Sequence, residues 1–248
     1  MHNHLSKAVS QINDPALRRV ALFGISGAAI ILILLSGLAW WLQDTYANNA
    51  LENLMKGWKL WEWLLSLVLA FINFLSVLSI LLVMTVLFPV FATLIIGFLL
   101  ENVVTAVEKK HYPSYQADRP QPISEIISST LRFTLLVIGL HLLFLPVYLI
   151  LLIVPPLNLV LYYILNGYFV GREYFELIAM RQMEPAIASQ LRQNNRGKLH
   201  IAGIIITFLL TIPIVNILMP VIATAFMVHV FHSLPGRQKA LSQVTDAH

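Results

Sequence analysis

The sequence predicts an all-α integral membrane protein with two long membrane helices and two re-entrant (hemi-penetrating) helical hairpins. Of its 248 residues, 58% are hydrophobic and 11% are charged, and the mean hydropathy is +0.77. A soluble domain carries roughly 25% charged residues, so this composition is typical of a membrane protein. Long uncharged runs predict the helices, and a proline and asparagine pattern inside two later runs predicts the hairpins.

The first membrane helix is predicted at residues 20–42. Residues 1–19 are polar and end in Arg18 and Arg19, while residues 20–42 carry no charge. As a helix this run extends about 34 Å, which is enough to cross a bilayer. Gly24 and Ala28 lie four residues apart within it, a spacing that lets a second helix approach closely but that any membrane helix also tolerates.

The second membrane helix is predicted at residues 64–100. The five tryptophans lie around the polar segment 43–62, which predicts that this segment lies at one membrane face. Residues 64–100 extend about 55 Å as a helix, too long for one upright crossing. Because no polar turn divides the run, we predict one tilted helix that bends before Pro89 and projects beyond the bilayer.

Two later apolar segments share a pattern in which asparagine follows proline by three residues: Pro155 with Asn158, and Pro213 with Asn216. Proline breaks a helix, and an asparagine side chain can cap the helix that restarts. We therefore predict broken hairpins at 133–170 and 201–231, whose arms after each break are shorter than a bilayer of roughly 30 Å. Helix ends at that depth need protein or a wet cavity around them, and such breaks often mark a substrate site.

The basic residues predict the topology. They lie mainly before the first helix, between the hairpins and in the tail 232–248. If both hairpins return to the side from which they entered, all these segments are cytoplasmic, as positive residues prefer. Six complete crossings also leave both termini in the cytoplasm, but they place each break in an external loop. The net charge of +4 then reflects topology and lipid contact rather than nucleic-acid binding, and 1–248 forms one membrane domain.

The order of three features resembles the etoposide-induced-protein / CysZ-like sulfate transporter family. These features are PALRR before the first helix, the repeated proline and asparagine pattern, and NGYFVGREYFELIAMR at 166–181. The resemblance covers about residues 14–232. It implies two long membrane helices, two hemi-penetrating hairpins, a homo-oligomer in the bacterial inner membrane, and sulfate uptake for cysteine synthesis.

In the sulfate-transporting branch, a Gly-Leu-Arg turn before the first membrane helix is associated with sulfate binding. Leu17 and Arg18 match this turn, Arg19 extends it, and Ala16 replaces the glycine. A guanidinium fork fits the edge of a tetrahedral oxyanion, so both arginines are candidate anion ligands. The alternative is that they anchor the chain to lipid phosphate on the cytoplasmic face.

Other candidate residues lie at the breaks and at the membrane edge. A half-helix beginning at Pro155 or Pro213 would offer free N–H groups and the positive end of its dipole to an anion. Asn158 and Asn216 would add amide donors or act only as caps. The remaining candidates form a charge cluster at the membrane edge, which comprises Arg172, Glu173 and Glu176. We interpret this edge cluster as either a salt bridge or a gate.

Isolated polar residues in the apolar runs are predicted to have structural roles. His229 and His232 lie three residues apart but have no third ligand, so an interfacial position is predicted rather than a zinc site. His141 is predicted as a hydrogen-bonded core histidine. Asn73 and Asn166 are predicted to hydrogen-bond between helices.

Several function classes lack support in the sequence. The chain has no cysteine, which excludes disulfides, iron–sulfur clusters and thiolate nucleophiles. It carries no phosphate-binding loop or zinc-protease motif, so no enzyme activity, metal or cofactor is predicted. The uncharged helix centres favour passive permeation of an oxyanion, with sulfate as the candidate. The alternative is a non-transporting membrane scaffold that binds lipid or a partner protein.

Overall fold

The computed structural model describes residues 1–50, 53, 62–113, 119 and 122–245, and these residues contain no β-strand. The fold is therefore all-α over the described part of the chain. We number its α-helices in chain order: α1 (His2–Ser10), α2 (Pro15–Leu42), α3 (Glu62–His111), α4 (Ile123–Leu151), α5 (Pro155–Ala179), α6 (Pro185–Asn194), α7 (Arg196–Leu210), α8 (Pro213–Asn216), α9 (Met219–His232) and α10 (Arg237–Thr245).

Within the described part of the chain, three segments are long and apolar enough to cross a membrane: Pro15–Tyr46, Ser66–His111 and Ile127–Leu151. The first two correspond to the predicted long helices, and Pro89 lies within α3 without ending it. The third belongs to the first arm of the first predicted hairpin. That arm begins at Ile123 rather than 133 and continues through Pro146, so α4 extends about 43 Å and has the length of a full crossing.

The apolar parts of α3 and α4 are exposed. None of the most apolar window in either Ser66–His111 or Ile127–Leu151 is buried within the chain. Exposed side chains include Phe71, Phe74 and Phe98 on α3, and Leu142 and Leu143 on α4. Apolar surface of this extent needs a cover of lipid or protein. The chain is a membrane protein, as its composition predicts.

Ala21–Phe98 forms one of two compact units. A Cβ atom added at Gly24 would overlap the side chain of Ile96, and both Ala28 and Ile96 are fully buried. Of the two possibilities that the spacing of Gly24 and Ala28 leaves open, the structure shows the close helix contact. Farther along, Gln43 Nε2 donates to Asn73 Oδ1 at 3.1 Å, which joins the π-helical turn after α2 to α3. The prediction of an interhelical hydrogen bond at Asn73 is confirmed.

The second unit comprises Met1–Val20 with Leu99–His248, and α9 is its core. Every residue from Met219 to Phe231 is buried, and α9 packs against α1, α5 and α7. A helix that is apolar on all sides is stable when protein surrounds it. The last arm of the second predicted hairpin therefore lies inside protein rather than against lipid.

The closest helix contact in this unit joins α5 to α7. A Cβ atom added at Gly203 would overlap the carbonyl oxygen of Gly167 and the backbone of Gly171. Gly167 and Gly171 are four residues apart on α5, the spacing that lets two backbones meet. This contact fixes the relative position of the polar ends of α5 and α7.

Candidate functional site

The N-terminus of α2 is occupied by a carboxylate of the protein itself. Asp14 Oδ1 accepts a hydrogen bond from the backbone N–H of Ala16 at 3.0 Å, and Asp14 Oδ2 pairs with Lys110 Nζ at 2.7 Å. The hydrogen bond from Lys110, then that from Ala16, lowers the pKa of Asp14 below its usual value. Asp14 thus uses one of the N–H groups that a bound anion would otherwise take.

The three predicted anion-binding residues differ in exposure. Leu17 is 2% exposed and belongs to the core, whereas Arg18 and Arg19 are exposed in the first turns of α2. Neither arginine forms an ion pair with another described residue. The chemistry available at this site therefore comes from two free guanidinium groups, and the leucine only anchors the turn.

The first break does not offer the donors that its sequence predicts. α4 ends at Leu151 and α5 begins at Pro155, with Val154 in the N-cap position and no side-chain cap. Pro155 and Pro156 have no N–H group, and the N–H of Leu157 already donates to Val154 O at 3.0 Å. The first turn of α5 therefore presents few free donors.

Asn158 consequently has a different position from the predicted one. It lies inside the first turn of α5, half-buried, rather than at the N-cap. Its amide makes no hydrogen bond to the described residues. The capping role predicted for it is wrong, because the two prolines leave little for a cap to satisfy.

The second break likewise bonds much of its own backbone. α7 ends at Leu210, α8 is a single turn from Pro213 to Asn216, and α9 begins after Leu218 in the N-cap position. Asn216 lies at the end of α8, so its predicted capping of the last helix is wrong. Pro220 has no N–H, and the N–H of Val221 donates to Leu218 O at 3.1 Å.

The edge cluster is a salt bridge that extends to a third residue. Arg172 Nε donates to Glu176 Oε1 at 2.7 Å, and Arg192 Nε lies 3.6 Å from the same oxygen. Glu173 is exposed and is not part of this arrangement. The structure therefore brings Arg172 and Glu176 together as predicted, and it adds Arg192 from α6.

A buried polar network lies around His229. The amide nitrogen of Gln11 lies 2.8 Å from His229 Nε2 and 2.8 Å from His111 Nε2, and Tyr112 Oη lies 2.9 Å from His229 Nδ1. If Gln11 donates to Nε2, the neutral ring carries its proton on Nδ1 and donates to Tyr112. Burial lowers the pKa of His229 to about 4, which keeps this neutral form.

A second polar chain crosses the same core. Glu108 Oε1 accepts from Gln182 Nε2 at 2.5 Å and lies 3.3 Å from His232 Nε2. Arg237 donates to Gln182 Oε1 at 3.2 Å, and its guanidinium lies 5.2 Å from the Phe231 ring centre. The Tyr112 ring stacks on His232 at 3.7 Å and connects the two chains. These bonds fasten the N-terminal segment and α3 to α9 and α10.

The interfacial position predicted for His229 and His232 is wrong, since His229 is 1% exposed and the His232 side chain is also buried. Their spacing of three residues was the available signal, but it does not identify partners as distant as Gln11 and Glu108. His141 Nδ1 donates to Val137 O in its own helix at 2.8 Å, and the residue is half-buried. Asn166 also bonds within its own helix, to Tyr162 O at 2.9 Å, so its predicted interhelical bond is wrong.

Three apolar helices of crossing length among the described residues define a helical integral membrane protein. The model of one protein family matches residues 4–220, and the chain belongs to that family, described as Sulfate transporter CysZ/Etoposide-induced protein 2.4. This match confirms the resemblance drawn from the sequence motifs. A search of curated proteins finds no match.

Proposed function

We propose that this protein is a passive permease or channel for an oxyanion, sulfate or a close relative, in the bacterial inner membrane. The observation that carries the proposal is the family match over residues 4–220. The three apolar helices of crossing length support it. Imported sulfate would then feed sulfur assimilation, and both termini would face the cytoplasm.

Arg18 and Arg19 are the proposed point of anion capture. Both are exposed at the start of a crossing helix, and neither is neutralised by a described carboxylate. Sulfate must exchange water for protein donors while remaining weakly enough bound to leave. Two guanidinium groups on one exposed turn supply such donors without enclosing the ion.

The hairpins have a different part in the proposed pathway from the one their sequence suggests. α7 and α9, at 15 and 14 residues, extend only about 20 to 23 Å and remain candidates for re-entrant arms. Their breaks satisfy much of their own backbone, so they shape a path rather than bind the ion. The exposed apolar faces of α3 and α4 suit a homo-oligomer embedded in lipid.

Radiolabelled sulfate uptake into liposomes that contain the purified full-length protein tests this function. We expect flux well above that of protein-free vesicles, driven by the sulfate gradient alone. The double variant Arg18→Ala and Arg19→Ala should lower flux roughly tenfold, the scale of one lost charge-assisted hydrogen bond. Lys109→Ala, which removes one exposed positive charge elsewhere, should leave flux close to the wild type. Wild-type flux equal to that of empty vesicles would reject the proposal.

A non-transporting membrane scaffold is the second candidate, and the self-satisfied breaks favour it. Neither of two cavities of about 510 and 540 Å³ has Pro155, Asn158 or Asn216 among its described lining residues. If sulfate, phosphate and chloride all fail to cross in the liposome assay while the protein remains folded, the scaffold becomes the better account.

A further inference from the structure

A cavity of about 510 Å³ lies where the polar ends of α5, α6 and α7 meet. The close contact of Gly167 and Gly171 with Gly203 holds α5 and α7 together nearby. The principal lining side chains are Tyr168, Arg172, Arg192, Arg196, Leu199 and His200. None of the described residues that line the cavity is acidic.

The cavity carries excess positive charge. Three arginines line it, and Glu176 alone is paired with them, through Arg172 at 2.7 Å and Arg192 at 3.6 Å. Arg192 Nε is buried and has no hydrogen-bond partner among the described residues. Arg196 is exposed and forms no ion pair with them. Two of the three positive charges are therefore uncompensated.

The donors around the cavity are held in place. The guanidinium of Arg172 is fixed by Glu176 and lies 5.1 Å from the centre of the Phe133 ring. His200 Nε2 donates to Ile164 O at 2.9 Å, which orients its ring. Donors fixed in this way lose little freedom when a ligand binds.

The start of α7 adds to the positive potential. The helix begins at Arg196 without a side-chain cap, so the positive end of its dipole lies at the cavity. Asn195, in the N-cap position, instead donates its amide to Leu191 O at 2.9 Å and Pro235 O at 3.2 Å. The helix end is thus left to whatever anion enters the cavity.

We propose that this cavity binds a tetrahedral oxyanion group, sulfate or phosphate, supplied either by a free ion or by the phosphate of a lipid headgroup. Guanidinium groups match such oxygens in pairs, and Arg192 Nε, which is 3.6 Å from Glu176 Oε1 but makes no hydrogen bond to the described residues, can donate to an acceptor in the cavity. The volume holds more than one oxyanion. Ile164, whose carbonyl oxygen accepts the hydrogen bond from His200, and Ile201, which follows His200 on α7, are both exposed, and this apolar surface suits a lipid as the source of the phosphate.

The binding site does not depend on transport, and its test is a binding measurement on the purified full-length protein. In one arm, sodium sulfate and sodium phosphate are titrated calorimetrically into lipid-free detergent micelles. In the other, native mass spectrometry counts retained phosphatidylglycerol after incorporation into nanodiscs of phosphatidylglycerol and phosphatidylcholine. Binding in the first arm identifies a free ion, and selective phosphatidylglycerol retention alone identifies a lipid phosphate.

Arg192→Gln and Arg196→Gln should each weaken the observed binding about tenfold, whereas Lys109→Gln, which removes an exposed charge outside the cavity, should not. Arg196 is exposed, so its variant keeps the test valid if Arg192→Gln lowers thermal stability. Absence of binding in both arms, or equal binding by the Arg196→Gln and Lys109→Gln variants, would overturn the proposal. The effect of Arg18→Ala on sulfate flux has no bearing on this binding measurement. The proposed transport function and the proposed cavity site can therefore be rejected independently of each other.

Discussion

Gln11 and His229 are 218 positions apart in the chain, yet Gln11 Nε2 lies 2.8 Å from His229 Nε2. The bond connects the short turn after α1 to the buried helix α9. Because Gln11 is 7% exposed and His229 is 1% exposed, water cannot take the place of either hydrogen-bond partner if the other is lost. The N-terminal segment is therefore part of the core and not a tail.

The stability of the protein should fall at mildly acidic pH. An unfolded histidine titrates near 6.5, and burial lowers the pKa of folded His229 to about 4. The stabilisation is complete above pH 6.5 and is lost as pH falls toward 4, since the unfolded chain takes up the proton first. Between pH 7.5 and 5 we expect a loss of about 2 kcal/mol from this residue. Thermal unfolding in detergent across this range measures it, and an equal pH slope in His229→Gln would contradict it.

Gly203→Ala should destabilise the contact of α5 with α7. The added methyl group meets the backbone of Gly167 and Gly171, which cannot rotate away as a side chain can. We expect a loss of about 1–3 kcal/mol, the usual cost of overpacking, seen as a lower melting temperature. Gly197→Ala on the same helix has open space around it and should be neutral or slightly stabilising. Equal melting temperatures for the two variants would show that the backbones are farther apart.

Gly24→Ala should cost less than Gly203→Ala. The atoms nearest to its added methyl group belong to the side chain of Ile96, which can change rotamer, with Ala92 O at 3.3 Å. Combining Gly24→Ala with Ile96→Ala should cost less than the sum of the two single changes, because alanine lacks both overlapping atoms, Cγ1 and Cδ1. The double variant measures this coupling, and purely additive effects on melting temperature would argue against the contact.

Gln182→Leu should destabilise the protein more than the small change in side-chain volume alone would. Gln182 donates to Glu108 and accepts from Arg237, so the change removes two bonds to buried charged groups. A hydrogen bond to a charged group contributes about 1.5–3 kcal/mol, so we expect a loss of on the order of 2–4 kcal/mol. Gln190→Leu makes the same chemical change at an exposed position and is the matched control. Similar melting temperatures for the two variants would mean that the network contributes little to stability.

Asp14→Asn should strengthen anion capture if Arg18 and Arg19 form the capture site. The change removes a negative charge beside these arginines and keeps an oxygen that can cap Ala16. We expect the sulfate concentration for half-maximal flux to fall severalfold in the liposome assay. Asp44→Asn, an exposed carboxylate after α2, is the control. An unchanged half-maximal concentration would place the capture site away from the start of α2.

Uncharged runs predicted where membrane helices lie, but not where they end. α3 continues from the predicted limit at 100 to His111, and α5 continues from 170 to Ala179, because a helix does not stop where its surface becomes polar. Proline placed both breaks correctly. The sequence already shows that Pro155 and Pro156 have no N–H group, and the hydrogen-bond pattern adds that the N–H of Leu157 is used within the break.

The candidate sites were also predictable only in part from the sequence. Arg172 and Glu176, four residues apart on one helix, formed a predictable pair. Arg196 and His200 lie near them where three glycines bring α5 and α7 together, and Arg192 comes from α6. The spacing of Gly167 and Gly171 is visible in the sequence, but small residues are common in membrane helices and Gly203 lies far away. Contacts between segments that are distant in the sequence could not be predicted from residue patterns.

The burial of α9 determines when α1 can pack during synthesis of the chain. α1 leaves the ribosome before α9, and this packing partner begins only at Met219, so α1 cannot pack until the chain through α9 has been synthesised. Until then its apolar side and Gln11 are open to chaperones, proteases and the membrane surface. A truncation before residue 219 would therefore leave the beginning of the chain unassembled as well as its end.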